Sequence, residues 1–300
     1  MKKKTYLFAL MAMALTLGSC SDNENGIGGE TSKYITVSTS IGNMTRVATD
    51  EKGGQTFEEG DEISVYAWTG APTVAPETSE RVVNNAINKL TNGSWVSTPQ
   101  MLWKNNRDKH YFIGVYPISA ISDLSAGEYT FDVNKQTESD LLVAVNKDGL
   151  SYNVDEQQTV PLTFTHVMAK LVVNLTYKNQ WGGIPTVEKV VVGNAAKEAT
   201  INYLTKVVTP STTAKEDFSL PEITENTKYV SVIIPQEDVK QLTIVIGGKN
   251  FVYDNGTPFK LESGKITTVN LEVGRDEIKL GDVKITDWEN GSTFSGEALN

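Results

Sequence analysis

The sequence contains one cysteine, Cys20, and two histidines, His110 and His166, in 300 residues. A single thiol excludes a disulfide framework, and with only two histidines it leaves too few ligands for a zinc site and no histidine-based triad. No G-x-S-x-G, H-E-x-x-H, G-x-G-x-x-G or P-loop spacing occurs, so the familiar hydrolase, metalloprotease and nucleotide-binding signatures are missing. Positive charge is scarce. The 27 Lys and Arg face 37 Asp and Glu, a net charge of -10, which disfavours nucleic acid and anionic lipid as partners. No segment reaches the roughly 20 apolar residues of a membrane-spanning helix, and nothing calls for a cofactor or a metal.

What is present begins at the N-terminus. Lys2, Lys3 and Lys4 precede an apolar run of twelve residues, Tyr6 to Leu17, the form of a secretory signal peptide. Leu17-Gly18-Ser19-Cys20 resembles the lipobox of bacterial lipoproteins, in which the cysteine is diacylated and becomes the new N-terminus. Two acyl chains supply the double anchor that stable membrane attachment requires. Removing residues 1–19 takes three lysines with it, so -10 becomes -13 over the remaining 281 residues. Residues 20–33 read as a flexible tether rich in Gly, Asn, Asp and Glu.

Beyond the tether the apolar residues recur with period two, which predicts strands with one buried face. Ile35, Val37, Thr39 and Ile41 form one such face, and Ile63, Val65 and Ala67 another, with Ser64, Tyr66 and Trp68 opposite. Ser79 to Leu90 has some helical periodicity, but Asn84, Asn85, Asn88 and the Asn92-Gly93 that follows favour a strand entering a hairpin. Asn92-Gly93, Asp148-Gly149, Gly247-Gly248 and Asn255-Gly256 are read as two-residue hairpin turns. The sequence therefore predicts an all-β chain: residues 34–165 as an N-terminal sandwich, 166–274 as a C-terminal one, and 275–300 as a separate terminal strand segment.

That last segment alternates Ile278 and Leu280, then Val283 and Ile285, with a phase change at Gly281-Asp282 that predicts a bulge. It reads equally as the last strand of its own domain and as a strand for another subunit. "FEEGDE", with Glu58, Glu59, Asp61 and Glu62, matches no calcium loop and reads as a turn opening a strand. A carboxylate pair for glycoside hydrolysis has no positive sign in the sequence, though spacing does not exclude one. Trp68, Trp95, Trp103, Trp181 and Trp288 are assigned mostly to packing, with sugar binding as the other use of an exposed aromatic face.

Together "FEEGDEISVYAW", "HYFIGVYP", "DLLVAV", "LTFTHVMAKLVVNL", "VIIPQ" and "KITDW" after "SGKITTVNLEV" resemble, in order and spacing, the fimbrillin family of Bacteroidetes-type surface lipoproteins, the type V pilins and their accessory subunits. The resemblance implies two tandem transthyretin-like β-sandwich domains, lipidation at Cys20, display on the outer membrane and no enzymatic activity. In the pilins of this family an arginine-specific protease cuts after an arginine that follows the first strand. Arg46, with Val47 as the new N-terminus, matches that position, although an arginine in an ordinary inter-strand loop reads the same way. Such a cut would remove Ile35, Val37 and Ile41 and open a groove for a neighbouring subunit's strand. Ile278, Leu280, Val283, Ile285 and Trp288 are the candidate donor residues, worth roughly 8 to 15 kcal/mol as an upper bound. The implied partners are other fimbrial subunits and outer-membrane lipid; the alternative is a monomeric surface lipoprotein that binds glycans.

Overall fold

The computed structural model describes residues 33–42, 56–153, 158–254, 256–276 and 278–288. The first half supplies β1 (Thr36–Ile41), β2 (Glu62–Thr69), β3 (Val83–Thr91), β4 (Ser94–Thr98), β5 (His110–Tyr116), β6 (Gly127–Thr130), β7 (Leu142–Leu150) and β8 (Thr159–His166). The second half supplies β9 (Ala169–Tyr177), β10 (Val187–Ala196), β11 (Glu198–Asn202), β12 (Val207–Pro210), β13 (Lys215–Ser219), β14 (Glu222–Thr224), β15 (Lys228–Ile233), β16 (Gln241–Ile246), β17 (Lys249–Asp254), β18 (Lys265–Val273) and β19 (Ile278–Asp287). Among the described residues the helical segments are two single 3-10 turns, Thr78–Glu80 and Asn179–Trp181. The protein is thus an all-β sandwich fold.

Within the stretch from Ser79 to Leu90, Ser79 and Glu80 belong to a 3-10 turn and the strand β3 begins at Val83, its asparagines included as predicted. Asn92 and Gly93 then adopt positive φ between the paired residues Thr91 and Ser94. Gly247 and Gly248 do the same between Ile246 and Lys249, the backbone that a tight hairpin needs and that Gly and Asn accept most readily. Asp148-Gly149 departs from its prediction. β7 runs through it, with a register irregularity against β5 between the pairs Phe112–Asn146 and His110–Leu150. A Cβ on Gly149 would lie 2.7 Å from the Tyr111 ring, so this glycine makes room for a side chain inside a strand instead of closing a turn.

The first sheet has the order β1-β8-β7-β5-β2-β3-β4, with β1 parallel to β8 and the other neighbours antiparallel. It curls until its two edges approach: Ile35 N donates to Met101 O at 3.0 Å and Trp95 Nε1 to Thr39 Oγ1 at 3.0 Å. The interior so enclosed holds Ile63, Val65, Phe112, Leu162 and Phe164. The alternation of β2 predicts one buried face; both of its faces are buried. Tyr66 and Trp68, on the opposite side from Val65, belong to a second and larger core.

That larger core continues through Ile121, Leu124 and Phe131 into Val190, Val192, Ile244 and Val269, so it draws on both halves of the chain. β6 pairs with β11. Gln136 donates to Ser231 Oγ at 3.0 Å and accepts from Val232 N at 2.7 Å. The chain leaves the first sheet at His166 and, after the buried pair Val167 and Met168, enters the five-stranded sheet β14-β15-β9-β18-β19. A four-stranded sheet, β13-β10-β16-β17, contributes Val190, Val192, Leu242 and Ile244 to the same core.

Candidate assembly interface

β1 is an edge strand with a buried face. It pairs with β8 over six positions, from Thr36–Thr159 to Ile41–Phe164, and hydroxyl contacts reinforce the pair, with Ser40 Oγ donating to Thr163 Oγ1 at 3.2 Å. Its apolar side chains point inward: Ile35, Val37 and Ile41 are 2%, 6% and 7% exposed. At about 1.5 to 3 kcal/mol for each buried side chain, these three hold the strand with roughly 5 to 9 kcal/mol before ordering costs. Among the described residues no strand ladder forms on the other edge of β1. That edge borders a groove of about 540 Å³, across which stand Leu90 and Ser94 to Trp95 of the β3–β4 hairpin.

β19 is also an edge strand, and its attachment is weaker in side chains than in backbone. It pairs antiparallel with β18 at nine positions, and the register shifts opposite Asn270 and Leu271, where Gly281 is the inserted residue. The predicted bulge therefore lies at Gly281. Ile278, Leu280, Val283 and Ile285 stand opposite Val273, Leu271, Val269 and Thr267, all four of them fully buried. Directly opposed residues share a face, so the bulge turns a broken alternation into one continuous inward stripe. The stripe is only partly covered: Ile278 and Leu280 pack against the core, while Val283 and Ile285 are 40% and 39% exposed.

Past its end the strand is anchored by Trp288, which is 8% exposed. Its backbone N donates to Gly264 O at 2.9 Å. Its indole lies on the His166 imidazole, ring centroids 3.9 Å apart and planes 6° from parallel, with Lys170 Nζ 5.3 Å from the ring centroid. Asp140 Oδ1, 2.8 Å from His166 Nδ1, fixes the orientation of the imidazole. Trp288 Nε1 is buried without a hydrogen-bond partner.

Trp288 lines a cleft of about 430 Å³ between the two halves of the chain, together with Ile41, Asp61, Tyr116 and Asp140. Tyr116 donates to Asp61 Oδ1 at 3.4 Å. Burial, followed by the Asp61, Asp140 and Glu58 carboxylates, pushes its phenol up to about 12. Ile41, Thr56 and Phe57 line both this cleft and the groove beside β1, so the two adjoin at the end of β1.

Of the residues singled out from sequence, Ile35, Val37 and Ile41 share one interior, and Ile278, Leu280, Val283, Ile285 and Trp288 share one strand and its end. Cys20, Arg46 and Val47 lie outside the described residues. In the sequence His166 sits among the apolar residues of a strand pattern, and nothing there marks Asp140 or Lys170 as its neighbours. The one available signal was a lysine inside the apolar run "VMAKLVV", where a cation is 9% exposed and needs a partner. Glu58 and Asp61 form a turn, with Glu58 N donating to Asp61 Oδ2 at 2.7 Å. Among the described residues no group of three or more His, Cys, Asp or Glu is placed to hold a metal ion.

A family profile described as fimbrillin-like matches residues 45–288. Among solved crystal structures, that of a candidate cell adhesion protein from Bacteroides uniformis is similar with a TM-score of 0.64 at 19% identity, over 85% of this chain and 98% of that one. One from Bacteroides ovatus, also a candidate cell adhesion protein, gives 0.63 at 18% identity, over 87% and 99%. A fimbrial protein from Bacteroides vulgatus gives 0.52 at 14% identity, over 85% and 99%. At these identities the likeness is one of fold. No curated protein matches the sequence.

Proposed function

This chain belongs to the fimbrillin-like family, and from that premise we propose that it is a non-enzymatic structural or accessory subunit of a cell-surface fimbria that assembles by strand exchange and contributes to adhesion. In this reading the chain is exported as a lipoprotein acylated at Cys20 and carried to the outer-membrane surface. An arginine-specific cut after Arg46 then leaves Val47 as the first residue and releases β1.

The observation that supports it best is the match between two edge strands. β1 presents Ile35, Val37, Thr39 and Ile41 inward, and β19, because of its bulge, presents Ile278, Leu280, Val283 and Ile285 as four successive inward positions. If β19 replaces β1 in the same direction, the four apolar residues fall one for one on the four positions of β1. Val283 and Ile285, half-covered at home, gain burial, at about 25 cal/mol for each Å² removed from water. Part of the ladder lost to β18, where nine positions pair, is remade on β8, where six positions are open to a donor. Before the cut, β1 itself fills the place beside β8 and a donor cannot enter there. After it, an apolar trough with an open strand edge remains, and such an edge recruits another strand.

The test has two parts. Mass analysis of the N-terminus of the surface-exposed protein should give Val47 for a stalk or tip subunit. Removal of Glu277 to Asn300 should abolish polymerisation of the cut protein and leave a folded monomer. Fibres that still grow without those residues refute β19 as donor. A start at diacylated Cys20 on a protein that stays monomeric and binds a polysaccharide saturably would favour a glycan-binding surface lipoprotein instead.

A further inference from the structure

We propose that the cleft at the end of β1 is the terminal pocket for Trp288 of a neighbouring copy of this chain, which takes the His166 and Lys170 seat that the resident Trp288 leaves when its own β19 is donated. The inference rests on the strand-exchange reading and adds to it a partner residue and a receiving site.

Three observations place the incoming indole. With Ile278 set on Ile35 and the bulge at Gly281 counted as one position, Leu280 falls on Val37, Val283 on Thr39 and Ile285 on Ile41. Trp288 then lies three residues beyond Ile41, about 10 Å further along the trough at 3.3 Å per residue. That direction leads into the cleft, because Ile41 and the resident Trp288 line the same space. The two strands of one subunit thus end at one place: the strand lost on cutting and the strand given to a neighbour both point at His166.

The seat suits an indole and has little use for other groups. The His166 imidazole supplies a flat face held by Asp140, and Lys170 supplies a cation against the indole ring. The buried Trp288 Nε1 has no partner at home, whereas the cleft wall carries the acceptors Glu58, Asp61 and Asp140. An indole entering along the β1 trough approaches that wall and can donate to it. Emptying the seat would otherwise leave a histidine and a lysine lining an unfilled apolar hole, which a second copy's tryptophan closes.

The experiment uses the full chain with p-benzoylphenylalanine in place of Trp288, polymerised after arginine-specific cleavage together with 15N-labelled wild-type chain. Fibres whose photo-cross-links join position 288 of one copy to residues 163–171 of a labelled copy are the expected result. Fibres whose cross-links fall elsewhere, or only within one chain, overturn the proposal and leave strand exchange standing. If the cut wild-type chain alone forms no fibres, strand exchange fails and this inference fails with it. A kinetic measurement covers the case in which the bulky analogue misfolds. Trp288→Ala and His166→Ala should each slow elongation about tenfold, the double variant should be no slower than either, and Trp288→Phe should recover most of the rate. Additive losses in the double variant would overturn it.

Discussion

Trp288 lies flat on His166, 122 positions earlier in the chain, with ring centroids 3.9 Å apart and planes 6° from parallel. The contact seals the end of β19 onto the end of β8, so it couples the edge strand of one sheet to the strand next to the edge of another. Trp288→Ala should destabilise the monomer by about 3 kcal/mol, the usual cost of truncating a buried aromatic. His166→Ala should cost less, and the pair should be non-additive because the two share one contact. Urea denaturation of the three variants checks this; full additivity would show that the stack contributes nothing.

Gly281 is the inserted residue of the β19 bulge. Deleting it removes the extra residue, so Leu280 and Asp282 become neighbours and Ile278, Leu280, Val283 and Ile285 keep the inward face in plain alternation. The deletion should leave the monomer within about 1 kcal/mol of wild type, since every pair with β18 survives it. Donor function should be kept, as seen by fibres formed with an intact acceptor. A deletion variant that folds but does not polymerise would contradict the matched-face argument.

Gly114, in the middle of β5, faces Phe164 of β8. A Cβ there would lie 2.6 Å from Phe164 Cζ and 3.1 Å from Leu162 Cδ1. Gly114→Ala therefore overpacks the interior that β1 also completes, and should cost about 1 to 3 kcal/mol. A thermal melt unchanged from wild type would mean that the ring moves freely.

Two groups predict how stability varies with pH. His110 is fully buried, its Nε2 accepts from Lys104 N at 3.0 Å, and burial draws its pKa below the usual 6.5. A lowered folded-state value means that its contribution is intact above 6.5 and is lost as pH falls through the lower value. Between about pH 7 and pH 5, above most carboxylate titrations, wild type should lose more stability than His110→Asn. Tyr116 behaves in the opposite sense. Its pKa rises from 10.0 to about 12, so its contribution persists below 10 and disappears as pH climbs towards 12. Tyr116→Phe should flatten that alkaline limb in urea titrations at stepped pH, and an unchanged limb would assign the loss to other tyrosines.

Much of this architecture was readable locally. Alternation at Ile35 to Ile41 and Ile278 to Ile285 marked strands, Asn92-Gly93 and Gly247-Gly248 marked turns, and a broken phase marked the bulge. These features follow from the period of a strand and from backbone conformations that only a few residues adopt. Local pattern misleads where the deciding atoms are distant in the chain. Asp148-Gly149 looks like a turn by itself, but the Tyr111 ring occupies the space a side chain would need. Tyr66 looks like part of an outer face until the second core covers it.

The amino-acid order alone determined that the chain is built of strands, where the hairpins at Asn92-Gly93 and Gly247-Gly248 turn, and which residues of β1 and β19 share a face, because each of these depends on neighbours a few positions away. Only the tertiary structure decided that both strands lie at sheet edges, that they end at one cleft, and that His166, Asp140 and Lys170 form a seat for Trp288. Those relations come from long-range closure of the curled sheet onto the second half of the chain, and burial selects them by total apolar area, a quantity that no local pattern carries.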